Sequence, residues 1–564
     1  MREAVIAEGC EELADESLRA ESICSVEFEG ASVKRILNSV MSGISLESLS
    51  LPDGLESIGK YSLSSTKINR GIVFPASMSS IGYHFAWKAQ IPTIDLSKCV
   101  NLTSLPESSF QECFKTTSII LPPNLEIIAS SCFLVASQIG ELEVPEAVKL
   151  LGRRCFERCF SLKRVVFKGR LIKEIPESCF LSSGITAIEM PSSVAKIGVA
   201  AFKDCQKLSS INSLESIESV SAEAFMGCSA LEVLRFGAIL SAVTPGSLSK
   251  MGKCDRIEVE SLNEDYESSD GVLYSKGLSV LVAFPGGRER AVICRECREI
   301  GMMAFANSSA LRTVSFENST AEGRLEAIGA STFMGCANLR SVSIPRSVSE
   351  VSSSAFAGCA GLERVTLKRG SALARLCEGG FRGCPRLAAF EIESGSSLES
   401  IEGGVFEGCR SLRLFSFPRG LVSIGERAFA GCEVLSSAVL PDTLVTISSE
   451  SFKGCCGFLS VRIPLSVESI GREAFANSGL KDIYFCRICT DNCMFSGDAF
   501  SGLPGEPIAH VPISFQGGTY LGLQSVGDLD KDCMRGTIGF TSSGEAVFSS
   551  SAALAACALM AREE

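Results

Sequence analysis

An internal repeat runs through most of this chain and restricts it to a fold of stacked, nearly identical units. Four blocks show it: IGASTFMGCANLRSVSIP from Ile328, VSSSAFAGCAGLERVTLK from Val351, IEGGVFEGCRSLRLFSFP from Ile401 and IGERAFAGCEVLSSAVLP from Ile424. Their shared template, IGxxAFxxCxxLxxIxIP, places a Phe every 22 to 28 residues within two runs. The Phe anchors are Phe110, Phe133, Phe156, Phe180, Phe202, Phe225, Phe305, Phe333, Phe356, Phe381, Phe406, Phe429, Phe452, Phe475 and Phe500.

Weaker anchors extend the first run at the same step. They are Leu18, Val40, Leu63, Ala86 and Leu248. With the Phe anchors they make about twenty units, each of which can bury its apolar residues only against its neighbours.

Each unit combines a strand with a return segment. Residues nine and eleven after the Phe, such as Val342 and Ile344, alternate with polar residues and predict an inward-facing strand. The IGxxAFxxC segment has its apolar residues too closely spaced for a strand and predicts a helical or turn-like return. We therefore expect an α/β leucine-rich repeat solenoid of about twenty units, each about 23 residues long, with a continuous parallel sheet on its concave face and short helical or turn segments opposite.

The combination of IGxxAF, a Cys three residues after the Phe, and LxxIxIP resembles the BspA-like leucine-rich repeat family from about residue 5 to residue 515. Proteins of this family occur in bacteria and mucosal protists, often as surface proteins linked to adhesion. The resemblance implies a binding scaffold. It supplies no ligand and no binding residue that could be transferred to this chain.

Breaks in the repeat predict the domain organisation. We expect a first repeat run at residues 1–260, a hairpin-like insertion at 261–290, a second run at 291–515 and a non-repeat tail at 516–564 with a weak helix at 550–562. In the insertion, DGVLYSKGLSVLVAFPGG predicts two strands around a tight turn near residues 275–277.

Composition excludes several classes of function. A net charge of -12 argues against nucleic-acid binding, which depends on Lys and Arg neutralising phosphates. The chain has two histidines, His84 and His510, too few for a multi-His metal site, and neither has a nucleophile placed to form a catalytic pair. We expect no enzyme activity and no cofactor, with an enzyme hidden in the insertion or tail as a remote alternative.

The sequence predicts one of two cellular locations, depending on whether the N-terminus is complete. The N-terminal residues lack the apolar stretch of a signal peptide, and the apolar tail from Ala552 to Ala561 is about half of what a membrane span needs. The chain as written is expected in the cytosol, without a transmembrane segment. An incomplete N-terminus would leave the cell surface or secretion open.

Half of the 26 cysteines occupy template positions, where free thiols act as small apolar side chains. Ten lie three residues after an anchor: Cys113, Cys159, Cys205, Cys228, Cys336, Cys359, Cys384, Cys409, Cys432 and Cys455. We expect them to be reduced and buried. Three thiols in eight residues, Cys486, Cys489 and Cys493, leave a zinc site as an alternative at that point.

The outward row of the strands varies from unit to unit, which favours it as a recognition surface for a protein or glycan. The candidate binding residues are Glu143, Arg235, Glu258, Arg340, Ser343, Thr366, Glu391, Arg413, Arg462 and Tyr484. A neighbouring row with Lys163, Arg312, Arg340 and Arg413 suggests a basic stripe. An intracellular assembly scaffold is the main alternative to adhesion.

Overall fold

The computed structural model forms a parallel-strand solenoid of about 21 turns built from leucine-rich repeats. It describes residues 2–18, 23–29, 32–316, 324–436, 438–486, 493–512, 514–515, 517–529, 538–540 and 546–548. Two compact units make up the chain: residues 1–277 with 282–287, and residues 278–281 with 288–564. The helix expected at 550–562 lies outside the described residues.

The longer strand of each turn pairs in parallel with the corresponding strand of the next turn, and we call this set the long-strand ladder. In the first unit its strands are Arg2–Ile6, Ile23–Phe28, Ile72–Val73, Thr93–Asp95, Ser118–Ile120, Glu141–Val144, Arg164–Phe167, Ala187–Glu189, Ser210–Asn212, Val233–Phe236 and Arg256–Val259. In the second unit they are Arg290–Ile293, Thr313–Phe316, Ser341–Ile344, Arg364–Leu367, Ala389–Ile392, Leu414–Phe415, Ser460–Ile463, Asp482–Phe485, Ile508–Pro512 and Leu523–Leu529. These strands fall into several sheets of two to six strands, where one continuous sheet was predicted.

A second ladder of two-residue strands, which the sequence analysis did not predict, begins the return of each turn. In the first unit it contains Glu12–Leu13, Arg35–Ile36, Ser57–Ile58, Ser80–Ile81, Ser104–Leu105, Ile127–Ile128, Leu150–Leu151, Glu174–Ile175, Lys196–Ile197, Ser219–Val220 and Ala242–Val243. In the second unit it contains Glu299–Ile300, Ala327–Ile328, Glu350–Val351, Arg375–Leu376, Ser400–Ile401, Ser423–Ile424, Thr446–Ile447, Ser469–Ile470 and Met494–Phe495. Its residues include the first Ile of the template, so a position assigned to the return segment is in fact a strand.

Few strands lie outside the two ladders. In the insertion, Tyr266–Ser269 pairs antiparallel with Val272–Ser275 across Asp270 and Gly271, and a 3-10 turn at Lys276–Leu278 precedes Val280–Ala283. The predicted turn near residues 275–277 is therefore present, with one strand more than expected before it. Val280–Ala283 pairs in parallel with Glu299–Ile300 and so extends the second ladder. The remaining strands are Ser45–Leu46, Lys67–Ile68, Thr519–Tyr520, Ile538–Phe540 and Ala546–Phe548.

The return segment consists of tight backbone turns, whose N–H groups form hydrogen bonds to the next repeat of the solenoid. In the turn of Phe356, the residues two before and two after the anchor, Ser354 and Gly358, have φ of 57° and 69°. The N–H groups of Ser354, Phe356 and Gly358 donate to carbonyl oxygens of the following turn at 2.9, 2.8 and 2.8 Å. The same pair of positive-φ positions flanks nearly every anchor.

This backbone explains why the predicted short helices, and with them the α/β designation, are not confirmed. An α-helix needs consecutive right-handed residues whose N–H groups bond four residues back in the same segment. Here two left-handed residues interrupt each segment, and the N–H groups point to the neighbouring turn. Within the described residues, the 3-10 turn at Lys276–Leu278 is the sole helical element.

The left-handed residue two positions after the anchor, which we call the second left-handed position, differs between the units. In the second unit it is Gly or Asn in each described turn from Asn307 to Gly502. In the first unit most of these positions carry larger side chains. They include Lys88, Glu112, Val135, Arg158, Ser182 and Asp204, with Gly43 and Gly227 as exceptions.

The anchor phenylalanines form a stacked column in each unit. From Phe110 to Phe225 successive ring centroids are 5.2 to 5.5 Å apart, and from Phe305 to Phe500 they are 4.7 to 5.7 Å apart. All of these rings are buried. Of the weaker anchors, Val40 was one residue out of register, because Met41 makes the anchor's bond to the next turn.

The cysteine three residues after each anchor is buried, as predicted, and it also closes a hydrogen bond. The Sγ of Cys359 donates to the carbonyl oxygen of Phe333 at 3.1 Å, and the other nine template cysteines make the same bond to the preceding turn at 2.9 to 3.3 Å. A thiolate would be repelled by that carbonyl oxygen. We therefore assign the protonated thiol along the whole column.

Replacing Phe356 with Ala should lower the free energy of unfolding by about 3–5 kcal/mol, because the cavity it leaves lies between two stacked rings. Hydrogen exchange should increase mainly in the turns of Phe333 and Phe381, since each turn contacts its neighbours alone. The control is Phe160→Ala, which removes a ring that is 54% exposed and should cost less than about 0.5 kcal/mol. A uniform increase in exchange along the second unit would contradict the column.

The thiol column should resist alkylation in the folded protein. Burial raises the pKa of Cys113 and Cys159 to about 12, which lowers the reactive thiolate fraction roughly a thousandfold relative to a free thiol. Brief iodoacetamide treatment near neutral pH should modify the exposed Cys456 and spare both residues until denaturant is added. Peptide mass spectrometry that found Cys159 modified as fast as Cys456 would refute this packing.

Candidate binding surface

The long-strand ladder turns alternate side chains to the outside. In Arg364–Leu367, Val365 and Leu367 are fully buried, whereas Arg364 is exposed and Thr366 is half-buried. Parallel pairing without a shift aligns Ser343, Thr366 and Glu391 in one row across three turns. The predicted outward row is thus a physical row in this part of the second unit.

Most predicted binding residues in this row interact with a residue of an adjacent turn. The contacts are Glu143 with Lys168 at 3.0 Å, Arg235 with Glu258 at 2.8 Å, Arg340 with Glu363 at 2.8 Å, Thr366 with Glu391 at 3.3 Å, and Arg364 with Glu391. Such exposed pairs stabilise little, because solvent screens them. The pairs do neutralise charge on the row. Because Arg312 also lies 3.5 Å from Glu289, acidic partners interrupt the predicted basic stripe.

Two predicted residues do not offer the open surface expected of them. Arg462 and Tyr484 are each 6% exposed. Arg462 forms an ion pair with Asp442 at 2.9 Å, and the Tyr484 ring stacks on His510 with centroids 4.4 Å apart. The outward row is therefore covered at this end of the ladder, and a ligand could reach neither side chain without displacing its surroundings.

The side chains of Ser343 and Arg413 have no hydrogen-bond or ion-pair partner, respectively, among the described residues. The Ser343 hydroxyl is enclosed and has no hydrogen-bond partner within the described residues. Arg413 is exposed and forms no ion pair in the described part of the chain, unlike Arg340 in the equivalent position. Of the predicted residues, Arg413 is the one that offers an uncompensated charge to a ligand.

Arg413 lines a surface hollow of about 320 Å³ in the second unit. Arg386 and Arg410 line it too, with Glu363 and Val434 among the other walls. Arg410 pairs with Glu433 at 3.4 Å, whereas Arg386, like Arg413, forms no ion pair among the described residues. The lining of the hollow therefore carries excess positive charge.

Sequence reasoning missed Arg386 and Arg410 because they follow the anchor by five and four residues, in the loop before the strand. The sequence pattern assigns that loop to packing. A signal was present, since both loops carry Arg while the corresponding loop after Phe429 carries Val434. The recurrence of Arg indicates a shared site only when the stacking of the turns is known, because stacking places the loops of adjacent turns side by side.

A second hollow, of about 440 Å³, lies on the first unit's ladder. It is lined by Arg164, Lys168, Glu189 and Asn212 among others. Lys168 pairs with Glu143, and Arg164 lies 3.4 Å from Glu141. Arg170 also lines this hollow and forms no ion pair in the described part of the chain, but the unpaired Glu189 beside it supplies an opposite charge. This hollow therefore has less excess positive charge than the arginine hollow.

The return segments of the second unit carry a chain of alternating charges. Successive ion pairs of 2.5 to 3.7 Å connect Arg382, Glu407, Arg427, Glu450, Lys453, Glu473, Arg472 and Asp498. Hydrogen bonds to Glu473 and Glu450 raise the pKa of Lys453, which keeps its ammonium charged. The four positive and four negative charges of these eight residues therefore cancel.

Metal and membrane features can be assessed for the described residues. In that part of the chain, no group of three or more His, Cys, Asp or Glu side chains could hold a metal ion. Cys486 is buried, Cys493 is disulfide-bonded, and Cys489 lies outside the described residues. The bonded Cys493 cannot supply a thiolate, which removes one ligand from the zinc alternative and corrects the expectation of reduced thiols there. The described chain also has no helix that is long and apolar enough to cross a membrane.

Several solved structures are similar to this chain. A leucine-rich repeat protein from Eubacterium ventriosum is 18% identical, with a TM-score of 0.42 over 71% of this chain and 83% of its own. One from Bacteroides ovatus is 20% identical, with a TM-score of 0.36 over 75% and 87%. A leucine-rich cell surface protein from Faecalibacterium prausnitzii is 18% identical, with a TM-score of 0.32 over 73% and 86%. A search of curated proteins finds no match.

A family model describes the sequence repeat itself. The model for the BspA type leucine rich repeat region matches in 6 copies. The matched residues are 11–133, 68–173, 173–270, 289–396 and 374–502. These ranges include almost every anchor of both units and leave unmatched the insertion's second half and the tail.

Proposed function

We propose that this chain, which belongs to the BspA-type leucine-rich repeat family, is a non-enzymatic recognition scaffold that binds a macromolecular partner on the long-strand ladder of its second unit. Members of this family are typically binding or adhesion scaffolds. The partner we favour is a protein with an acidic surface. Display on the cell surface and a role in adhesion are part of the same proposal.

The arginine hollow carries this proposal. Arg386 and Arg413 are exposed and form no ion pair within the described residues, although the chain as a whole has a net charge of -12. In the two preceding turns of the same unit, Arg340 and Arg364 are by contrast paired with Glu363 and Glu391. An acidic partner group entering the hollow would supply the missing counter-charges, and charge-assisted bonds to Arg are among the stronger polar contacts.

The ladder beside the hollow supports a large partner. Ser343, Thr366 and Glu391 extend the outward row over three turns next to the hollow, so contacts can add up along the strands. Stable protein interfaces bury about 800 Å² on each partner, which a single hollow cannot supply. A macromolecule that follows the strands meets this requirement better than a small molecule does.

An intracellular assembly scaffold is the second candidate, and the template thiols favour it. The ten template cysteines form no disulfide, as is usual in a reducing compartment, whereas the disulfide at Cys493 is more usual in an oxidising one. Antibody labelling of intact and of permeabilised cells would separate the two candidates. Labelling of intact cells would support surface recognition, and labelling that requires permeabilisation would support intracellular assembly.

Charge reversal in the hollow should weaken binding to an acidic protein probe. We expect the double variant Arg386→Glu/Arg413→Glu to bind immobilised polyglutamate peptide at least about tenfold more weakly than the native chain does, because repulsion replaces attraction. Glu391→Lys, on the adjacent outward row, should strengthen the same binding. Biosensor titration measures both effects, and the melting temperature should stay nearly constant because all three side chains lie at the surface.

The matched control is the double variant Lys98→Glu/Lys115→Glu in the first unit, whose side chains are exposed and form no ion pair among the described residues. A general charge effect would weaken binding in this control as much as in the hollow variant, and that result would contradict the hollow as the docking site. So would unchanged affinity in the hollow variant.

A further inference from the structure

The return segments of the first unit carry an aromatic cluster that the ladder-based function does not use. It consists of Tyr61, Tyr83, His84 and Trp87, with Lys60 and Lys88 at its edges. Trp87 is the single tryptophan of the 564 residues, and His84 is one of two histidines. Rare residue types thus concentrate in two adjacent turns.

The rings contact one another directly. Tyr61 stacks on His84 with centroids 4.9 Å apart and 22° between planes, and it meets the edges of Tyr83 at 5.6 Å and Trp87 at 6.4 Å. These rings are not core residues, since Tyr83 is 39% exposed and the other three are half-buried. They form an amphipathic platform on the surface.

The platform occupies positions that other turns fill with small or charged side chains. Tyr61 and His84 are two residues before their anchors, with φ of 56° and 52°. In the later turns of this unit the same position carries Ser108, Ser131 and Arg154. A bulky ring at positive φ is unfavourable for the backbone, so packing needs of the fold do not explain the choice of Tyr.

Charge and polar groups surround the platform. The Lys60 ammonium lies 4.5 Å from the Tyr83 ring centroid and forms no ion pair among the described residues, and the Lys88 ammonium lies 4.3 Å from the Trp87 centroid. The Nδ1 atom of His84 is buried without a hydrogen-bond partner in the described part of the chain. Beside the rings, Glu112 accepts a hydrogen bond from the Trp87 indole N–H at 3.3 Å.

We propose that this platform is a second binding site, for a pyranose sugar that bears a carboxylate or sulfate group. The ring faces would pack against the apolar C–H face of the sugar, and Lys60 would pair with its anionic group. Glu112 offers carboxylate oxygens to hydroxyl groups. The site is independent of the long-strand ladder and of its protein partner.

The size and charge of the platform favour a sugar over two larger partners. Neighbouring centroids lie 4.9 to 6.4 Å apart, so the cluster spans roughly one or two sugar rings and falls well short of a protein interface of about 800 Å². Single-stranded nucleic acid would also stack on the rings. It needs a track of cations for its phosphates, whereas Glu112 lies within the cluster and is 3.7 Å from Lys88.

Trp87 makes the site directly observable, because selective excitation of tryptophan reports on this cluster alone. We would titrate the full chain with sialyllactose and with a heparin-derived tetrasaccharide, using lactose as the neutral counterpart. We expect a saturable change in Trp87 fluorescence with at least one anionic sugar, at an affinity at least about tenfold above that for lactose.

Variants decide whether the cluster is responsible. Tyr61→Ala and Lys60→Glu should each weaken anionic sugar binding at least about tenfold. The matched controls Phe160→Ala and Lys207→Ala, which alter an exposed ring and an exposed ammonium elsewhere in the unit, should bind as the native chain does. Lys60→Glu changes only an exposed side chain, so it tests the site even if Tyr61→Ala fails to fold.

Three results would overturn the proposal. They are equal affinity for lactose and both anionic sugars, unchanged binding in Lys60→Glu, and a fluorescence response to oligothymidylate with none to either anionic sugar. Calorimetric binding of the sugars without any change at Trp87 would also refute it, because the ligand would then lie elsewhere. None of these outcomes bears on polyglutamate binding at the arginine hollow, so the two proposals fail separately.

Discussion

Hydrogen bonds between successive return segments hold the turns of each unit together. Around Phe356, three N–H groups donate to the following turn, and the alternating left-handed residues make this geometry possible. The Phe column and the thiol bonds depend on it, because rings stack about 5 Å apart only when the turns keep a constant spacing. Strand pairing alone would fix two sides of the turn and leave the third without partners for its backbone groups.

The sequence was sufficient to predict the side-chain columns and insufficient to predict the backbone that carries them. Phe356 and Cys359 recur at fixed spacing and are buried as expected. Ser354 gives no comparable sign of a left-handed conformation, since Ser, Arg and Glu all occupy its position in other turns. The absence of α-helix among the described residues follows from these backbone angles, which no apolar pattern encodes.

The exposure of a side chain on the candidate surface could be predicted where it depends on one turn of the solenoid. It could not be predicted where it depends on several turns. Thr366 lies outward because strand residues alternate, and this can be counted along the chain. The burial of Arg462 and Tyr484 involves Asp442 and His510, which lie 20 and 26 residues away. Likewise, the hollow at Arg413 requires a loop residue, Arg386, from the preceding turn. Surface chemistry in a solenoid is thus a property of neighbouring turns.

The two units do not share backbone strain equally. At the second left-handed position the second unit uses Gly or Asn, which adopt positive φ at little cost, whereas the first unit uses residues such as Val135 and Arg158. Each larger residue there stores on the order of 1 kcal/mol in the folded backbone. Under a stretching force the first unit's return segments should therefore separate at lower load than those of the second. The Gly and Asn residues at this position therefore make the second unit more resistant to mechanical unfolding than the first.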